Sequence, residues 1–197
     1  MQVSIPRNDP DYIPLVIANQ IFGGSYNSRL NTKLRMNEGL TYGANSALEP
    51  QRQTGLFAAR SFSRTEKAGT AIKMMADLLA EYREHPVTNA ELNAAKAYLA
   101  GSFALNVETP QAVAQRVLLA AIDGLPANYW DTYRDRILAT TGEQVTAAVR
   151  RHLTPDKMAV VAVGNTTQLA KDLEALGTVE EIPLSEFDIL SPDLRTH

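Results

Sequence analysis

The chain has 197 residues, 45% hydrophobic and 21% charged, with a formal net charge of −3 and no cysteine. That length fits one ordinary domain, or at most two small ones, and can bury a core without disulfides or metal. The charge balance gives no support to a nucleic-acid partner or an anionic membrane surface. The missing thiols exclude Cys nucleophiles and thiolate metal sites, and no apolar run approaches the ~18 residues of a membrane helix.

Met1 leads into QVSIPRNDP, which has neither a basic n-region nor an apolar h-region. The chain reads as if it begins inside a strand. We therefore expect an internal start, with a leader on a longer parent left open. Gln2 to Ile5 is a short strand candidate. Asn8-Asp9-Pro10 is expected to start a helix, with Asp capping and Pro at the first helical position. Leu15, Ala18, Ile21 and Phe22 then recur at helical spacing, and Gly23-Gly24 is expected to end the helix in a left-handed cap. A short helix from Asn27 to Met36 carries Leu30 and Leu34. Glu38-Gly39 turns the chain.

Thr41 to Leu48 and Gly55 to Phe62 read as an antiparallel pair joined by a polar link. From Thr65 the period becomes helical, with Ala68, Ile72, Met75, Leu79 and Tyr82 on one stripe that stops at His85-Pro86. Thr88-Asn89-Ala90-Glu91 is a capping-box signature. Its helix carries Leu92, Ala95, Leu99 and Phe103. A helix after Thr109-Pro110 carries Val113, Val117 and Ala121. Gly124 to Ala127 is a loop, and a helix from about Asn128 is expected to carry Trp130, Tyr133 and Ile137. Thr141 to Gln144 caps another helix with Val145, Ala148 and Val149. Met158 to Val163 is an apolar run expected to form a central strand. Asn165-Thr166 caps a short helix to about Leu176, and Val179 to Ile182 is a last strand candidate. Strands early and late with helices between them predict an α+β domain, with helices layered on one face of a mainly antiparallel sheet. We take residues 1–185 as a single domain and residues 186–197 as a polar tail.

The chemistry is sparse. The only histidines are His85, His152 and His197. No two are within helical reach, and neither H-x-x-E-H nor H-E-x-x-H is present. His85 and His152 fall at helix ends, where capping and dipole complementarity explain them. Gly23-Gly24 matches neither G-x-G-x-x-G nor the Walker pattern and follows a helix. Composition leaves a Ser-His-Asp triad open, but G-x-S-x-G is absent.

That leaves Arg35 and Tyr42, separated by a turn. A structural reading suffices for each alone: an Arg in a last helical turn complements the dipole, and a Tyr suits a strand. The functional reading is more specific. A helix end and a strand start can bring a guanidinium and a phenol to one opening. Both are donors, suited to a peptide carbonyl or an oxyanion rather than to base catalysis.

The run GGSYNSRLNTKLRMNEGLTYGA resembles the signature of the non-zinc domain of M16 zinc metallopeptidases. That family includes pitrilysin, insulin-degrading enzyme and the mitochondrial processing peptidase. PVTNAELNAAKAYLAGSFALNVETPQAVAQRV is similar to its helical segment and LTPDKMAVVAVGN to its late strand, so the resemblance spans about Val3 to Asn165. It implies a LuxS/MPP-like α+β domain of C-terminal type, found in pairs or fours that enclose an unfolded peptide. It further implies that Arg35 and Tyr42 bind substrate carbonyl and assist catalysis. This chain would hold no cofactor. Zinc and the general base would sit on an H-x-x-E-H domain or subunit, the expected partner beside the peptide substrate. By the same analogy, the compartment is the periplasm or cell envelope. Two further readings stay open: a proteolytically inactive scaffold or assembly module of the same fold, and an unrelated α+β domain in which the motif is coincidental.

Overall fold

A computed structural model describes residues 1–195. His197 lies outside them. Three antiparallel strands, β1 (Gln2–Ser4), β2 (Thr41–Pro50) and β3 (Gly55–Ser63), form a sheet in the order β1-β3-β2. Around it run α1 (Tyr12–Phe22), α2 (Arg29–Asn31), α3 (Thr65–Glu84), α4 (Asn89–Leu105), α5 (Pro110–Ile122), α6 (Tyr133–Ala139), α7 (Gly142–His152) and α8 (Thr166–Glu174). The expected α+β class and antiparallel sheet are present.

The register sorts the sheet into two faces. Leu48 opposes Phe57, Ser46 opposes Ala59, and Ala44 opposes Ser61. This set faces the helices. Phe57 contacts Phe22 of α1, and Phe22 stacks on Tyr82 of α3 at 5.5 Å. Of the alternate residues, Val3, Phe62 and Tyr42 are 73%, 84% and 90% exposed, whereas Ala58 on the central strand is buried. The aromatic contacts to the helices named above lie on the first face.

The centre of the core is α1, apolar almost all round, with Leu15, Ile17, Ala18 and Phe22 fully buried. It packs against β2, α4 and α7. Both predicted capping boxes exist. The Thr88 hydroxyl accepts the Glu91 amide and the Glu91 carboxylate accepts the Thr88 amide; Thr141 and Gln144 repeat the pattern. The α5 stripe behaves differently: Val113 and Val117 stay exposed and only Ala120 is buried.

Several local expectations are corrected. The first helix begins at Tyr12, because the Asp9 carboxylate accepts the Asp11 amide at 2.8 Å and holds the preceding residues in a turn. Trp130 precedes its helix, which starts at Tyr133; its indole donates to the Arg116 carbonyl at 2.8 Å. Met158 to Val163 is not a strand, and neither is Val179 to Ile182. Within the first run, Ala159 exchanges backbone hydrogen bonds with Met1 at 2.7 and 2.8 Å. Val161 and Val163 are 70% and 98% exposed. An apolar run supplies strand propensity but not the backbone of a neighbour, and pairing needs both. Among the described residues no helix is long and apolar enough to cross a membrane.

Candidate peptide-binding site

The stretch bearing Arg35 and Tyr42 is built from a docked helix end, a π-helical turn and a bulged strand. Gly23 and Gly24 end α1, but not in the expected left-handed conformation: Gly23 has φ −152° and ψ 3°. Their role is close approach. A Cβ on Gly23 would lie 2.4 Å from both the amide nitrogen and the hydroxyl of Ser46. The Ser46 amide donates to the Gly23 carbonyl at 2.9 Å, and its hydroxyl donates to the Asn19 side chain at 2.8 Å. The end of α1 is thereby fixed against the outer edge of β2.

The expected helix from Asn27 to Met36 divides. Ser28 caps the short α2, and Thr32–Asn37 is π-helical. Single π turns shift the direction of the side chains they carry and cluster at functional sites. Gly39, at φ +59°, releases the chain, and the Leu40 amide donates to the Leu34 carbonyl at 2.8 Å. Arg35 projects from this turn half-buried. Its guanidinium lies over the Tyr26 ring, 4.9 Å from the centroid.

Tyr42 sits on a β-bulge. Thr41 opposes Ser63 and Ala44 opposes Ser61, so Tyr42 and Gly43 together oppose Phe62. The extra residue lets Thr41 and Ala44 both face the core while Tyr42 points outward. The Thr41 hydroxyl fixes the bulge. It accepts the Gly43 amide at 3.0 Å and lies 2.8 and 2.5 Å from the Gly43 and Phe62 carbonyls.

Arg35 and Tyr42 are thus both presented, but not to each other. Among the described residues no hydrogen bond or ring contact joins them; the ring under Arg35 belongs to Tyr26. The link runs through Asn31, only 4% exposed. Its side chain donates to the Tyr26 carbonyl at 2.7 Å and accepts the Ala44 amide at 3.2 Å. Sequence reasoning missed both residues. No spacing rule ties Tyr26 to Arg35. Asn31 leaves a weak signal, as an Asn inside a helical run beside Leu30 and Leu34.

A second anchor holds α2. The Arg29 guanidinium makes two bonds to the Glu91 carboxylate, 2.6 and 2.9 Å, and lies over the Tyr82 ring at 4.6 Å. Hydrogen bonding to Arg29, reinforced by the Thr88 amide and hydroxyl, holds the Glu91 carboxyl down at about 2.

His85 caps α3, with Nδ1 3.1 Å from the Glu81 carbonyl. His152 ends α7, and its Nε2 is 2.7 Å from an Asp11 carboxylate oxygen. Asp9, Asp11 and His152 place three potential ligand atoms within 4.8 Å of one another. They do not fit a hydrolytic zinc centre. The same Asp11 oxygen also takes the Arg151 guanidinium, and Asp9 accepts the Asp11 amide. These atoms tie the turn before α1 to the end of α7, elements that carry neither Arg35 nor Tyr42.

Comparison with known proteins agrees with this architecture. Residues 1–99 match the family model described as the peptidase M16 inactive domain. The crystal structure of a peptidase M16 inactive domain from Pseudomonas fluorescens aligns with a TM-score of 0.74 at 34% identity, over 79% of this chain and 37% of that one. A protein named an uncharacterized zinc protease from Streptomyces coelicolor is 27% identical over 74% of this chain and 32% of its own length. A non-peptidase homolog from Helicobacter pylori is 24% identical over 74% of this chain and 34% of its own. The chain spans about a third of the length of these curated relatives. The family model covers just over half of the chain, and on that match the chain belongs to the peptidase M16 family, to the part described as its inactive domain.

Proposed function

We infer that this domain, taken as residues 1–185, binds extended peptide and assists its hydrolysis at a zinc centre carried by another domain or subunit of the family. The observation that carries the reading is the exposed Tyr42 raised on a bulge opposite the exposed Phe62, together with Arg35 presented on a π turn. A guanidinium suits a peptide carbonyl, because it is always charged and offers several donors in a plane. A phenol suits the oxygen on which charge develops during amide hydrolysis. Zinc held by an H-x-x-E-H domain would supply the Lewis acid and the activated water.

The outer edge of β2 favours recognition by side chains over strand addition. Its Ala44 and Ser46 amides are already taken by Asn31 and by the Gly23 carbonyl. A second reading, a scaffold that binds without assisting chemistry, draws on the Helicobacter pylori relative named a non-peptidase homolog.

Binding by this chain tests the first reading. The probe is fluorescein-labelled, reduced and carboxymethylated ribonuclease A, a permanently unfolded polypeptide. Fluorescence anisotropy is expected to show saturable binding that weakens about 10-fold in Arg35→Gln, the loss of one charge-assisted hydrogen bond. Equal affinity of the two proteins would remove Arg35 from the site.

A further inference from the structure

We propose that Asn31 is a positioning residue that sets Arg35 and Tyr42 in one fixed relation. The inference rests on the functional reading above and adds a component that neither the Arg/Tyr spacing nor the zinc chemistry contains.

The geometry is a two-armed clamp. Asn31 lies at the junction of α2 and the π turn and is almost fully buried. Its own amide donates to the Ser28 hydroxyl at 3.4 Å. One arm, Nδ2, donates to the carbonyl of Tyr26 at 2.7 Å. Tyr26 is the residue whose ring lies under the Arg35 guanidinium. The other arm, Oδ1, accepts the amide of Ala44 at 3.2 Å. Ala44 is the first residue paired after the bulge that turns Tyr42 outward.

A buried carboxamide with both ends engaged is costly to replace, because either backbone group left alone loses its only replacement for water. Both groups belong to irregular backbone, the loop before α2 and the bulged end of an edge strand. Neither is otherwise fixed by a regular ladder on that side. Asn31 therefore determines where the Tyr26 loop sits relative to the bulge, and through them where the two donors stand relative to each other. A guanidinium and a phenol that must engage one peptide need that relation held within a fraction of an ångström.

Two substitutions separate the arms. Asn31→Leu removes both with a side chain of the same branched shape and heavy-atom count. Asn31→Asp keeps an acceptor for the Ala44 amide but loses the donor to the Tyr26 carbonyl. The measurement is amide exchange and tyrosine ring and arginine Nε shifts by NMR on the 15N,13C-labelled chain. Asn31→Leu is expected to speed exchange at Ala44 by about 10-fold or more. The β3 amides should keep their rates, and the Tyr26 and Tyr42 rings should shift. Asn31→Asp should keep Ala44 protected while the Tyr26 ring and Arg35 Nε shift. Unchanged Ala44 protection and ring shifts in Asn31→Leu would overturn the proposal. So would acceleration spread evenly over all amides, which is what a merely structural residue gives. If Asn31→Leu does not fold, Asn31→Asp decides: loss of Ala44 protection, or an unmoved Tyr26 ring and Arg35 Nε, overturns the two-arm assignment.

Binding of the ribonuclease probe separates this proposal from the reading beneath it. Asn31→Leu should weaken binding about 10-fold in the wild-type background and much less when Arg35→Gln and Tyr42→Phe are already present, the mark of coupled residues. Equal losses in both backgrounds would overturn positioning. A wild-type chain that does not bind the probe sinks the peptide-binding reading, and the NMR result still decides whether Asn31 couples the loop to the bulge.

Discussion

The guanidinium of Arg35 lies over the ring of Tyr26, 4.9 Å from its centroid. Tyr26 is itself 59% exposed, so the pair sits at the surface with one face of the guanidinium covered, and among the described residues its N–H groups have no hydrogen-bond partner. A cation held over a ring in this way gains roughly 0.5–1 kcal/mol at an exposed site, and it enters binding with less rotamer freedom to lose. Tyr26→Ala should weaken binding of the unfolded ribonuclease probe about 2- to 5-fold, the equivalent of that energy. Tyr26→Phe should leave it unchanged. Anisotropy titrations check this; full affinity in Tyr26→Ala would show that the ring does not orient Arg35.

Two glycines in the same stretch should both lose stability on substitution by Ala, for different reasons and by different amounts. At Gly23 the new Cβ would meet the Ser46 backbone nitrogen at 2.4 Å. The helix end must then move off the strand, a cost of about 3 kcal/mol. At Gly39 a Cβ meets nothing within 4 Å, but φ is +59°. There the cost is the left-handed backbone alone, about 1 kcal/mol. Urea unfolding of both variants checks the order, and a Gly39 cost exceeding that of Gly23 would contradict the packing account.

Glu91 predicts an acid-dependent loss of stability. Its carboxyl is held at about 2 against an ordinary 4.5, chiefly by Arg29. A folded-state value below the unfolded one means the contribution is complete above about pH 4.5. It is lost as the pH falls from there toward 2. Since both side chains are partly exposed, the contribution is on the order of 1–2 kcal/mol. Glu91→Gln keeps the capping box, because Gln serves at that position. The variant should be less stable than wild type by about that amount at pH 7, with the gap closing toward pH 2.5. A gap that stays constant across this range would assign the effect to packing instead.

The parts of the fold that could be read in advance are those written in local patterns. The α3 stripe ending in Leu79 and Tyr82, the capping boxes at Thr88 and Thr141, and the paired strands β2 and β3 all follow from periodicity and cap chemistry. What could not be read depends on neighbours distant in sequence. The end of α1 was legible as a Gly-Gly stop, yet the need for glycine comes from Ser46 pressing against it. Met158 to Val163 has the composition of a strand, and among the described residues only Met1 meets it as a pairing backbone. At the site, Arg35 and Tyr42 stood out by spacing. The π turn under Arg35, the bulge under Tyr42 and the Asn31 link between them depend on backbone hydrogen bonds that no residue pattern announces.

The role proposed for Tyr42 is donation of its phenol hydrogen to the reacting carbonyl oxygen. It is tested most directly by the turnover of Tyr42→Phe in the enzyme that joins this domain to its zinc-bearing H-x-x-E-H partner. Loss of an oxyanion donor predicts a kcat lower by about 10²-fold, with KM little changed and amide exchange of the domain like that of wild type. A kcat equal to wild type would contradict the account and leave this domain a binding surface only.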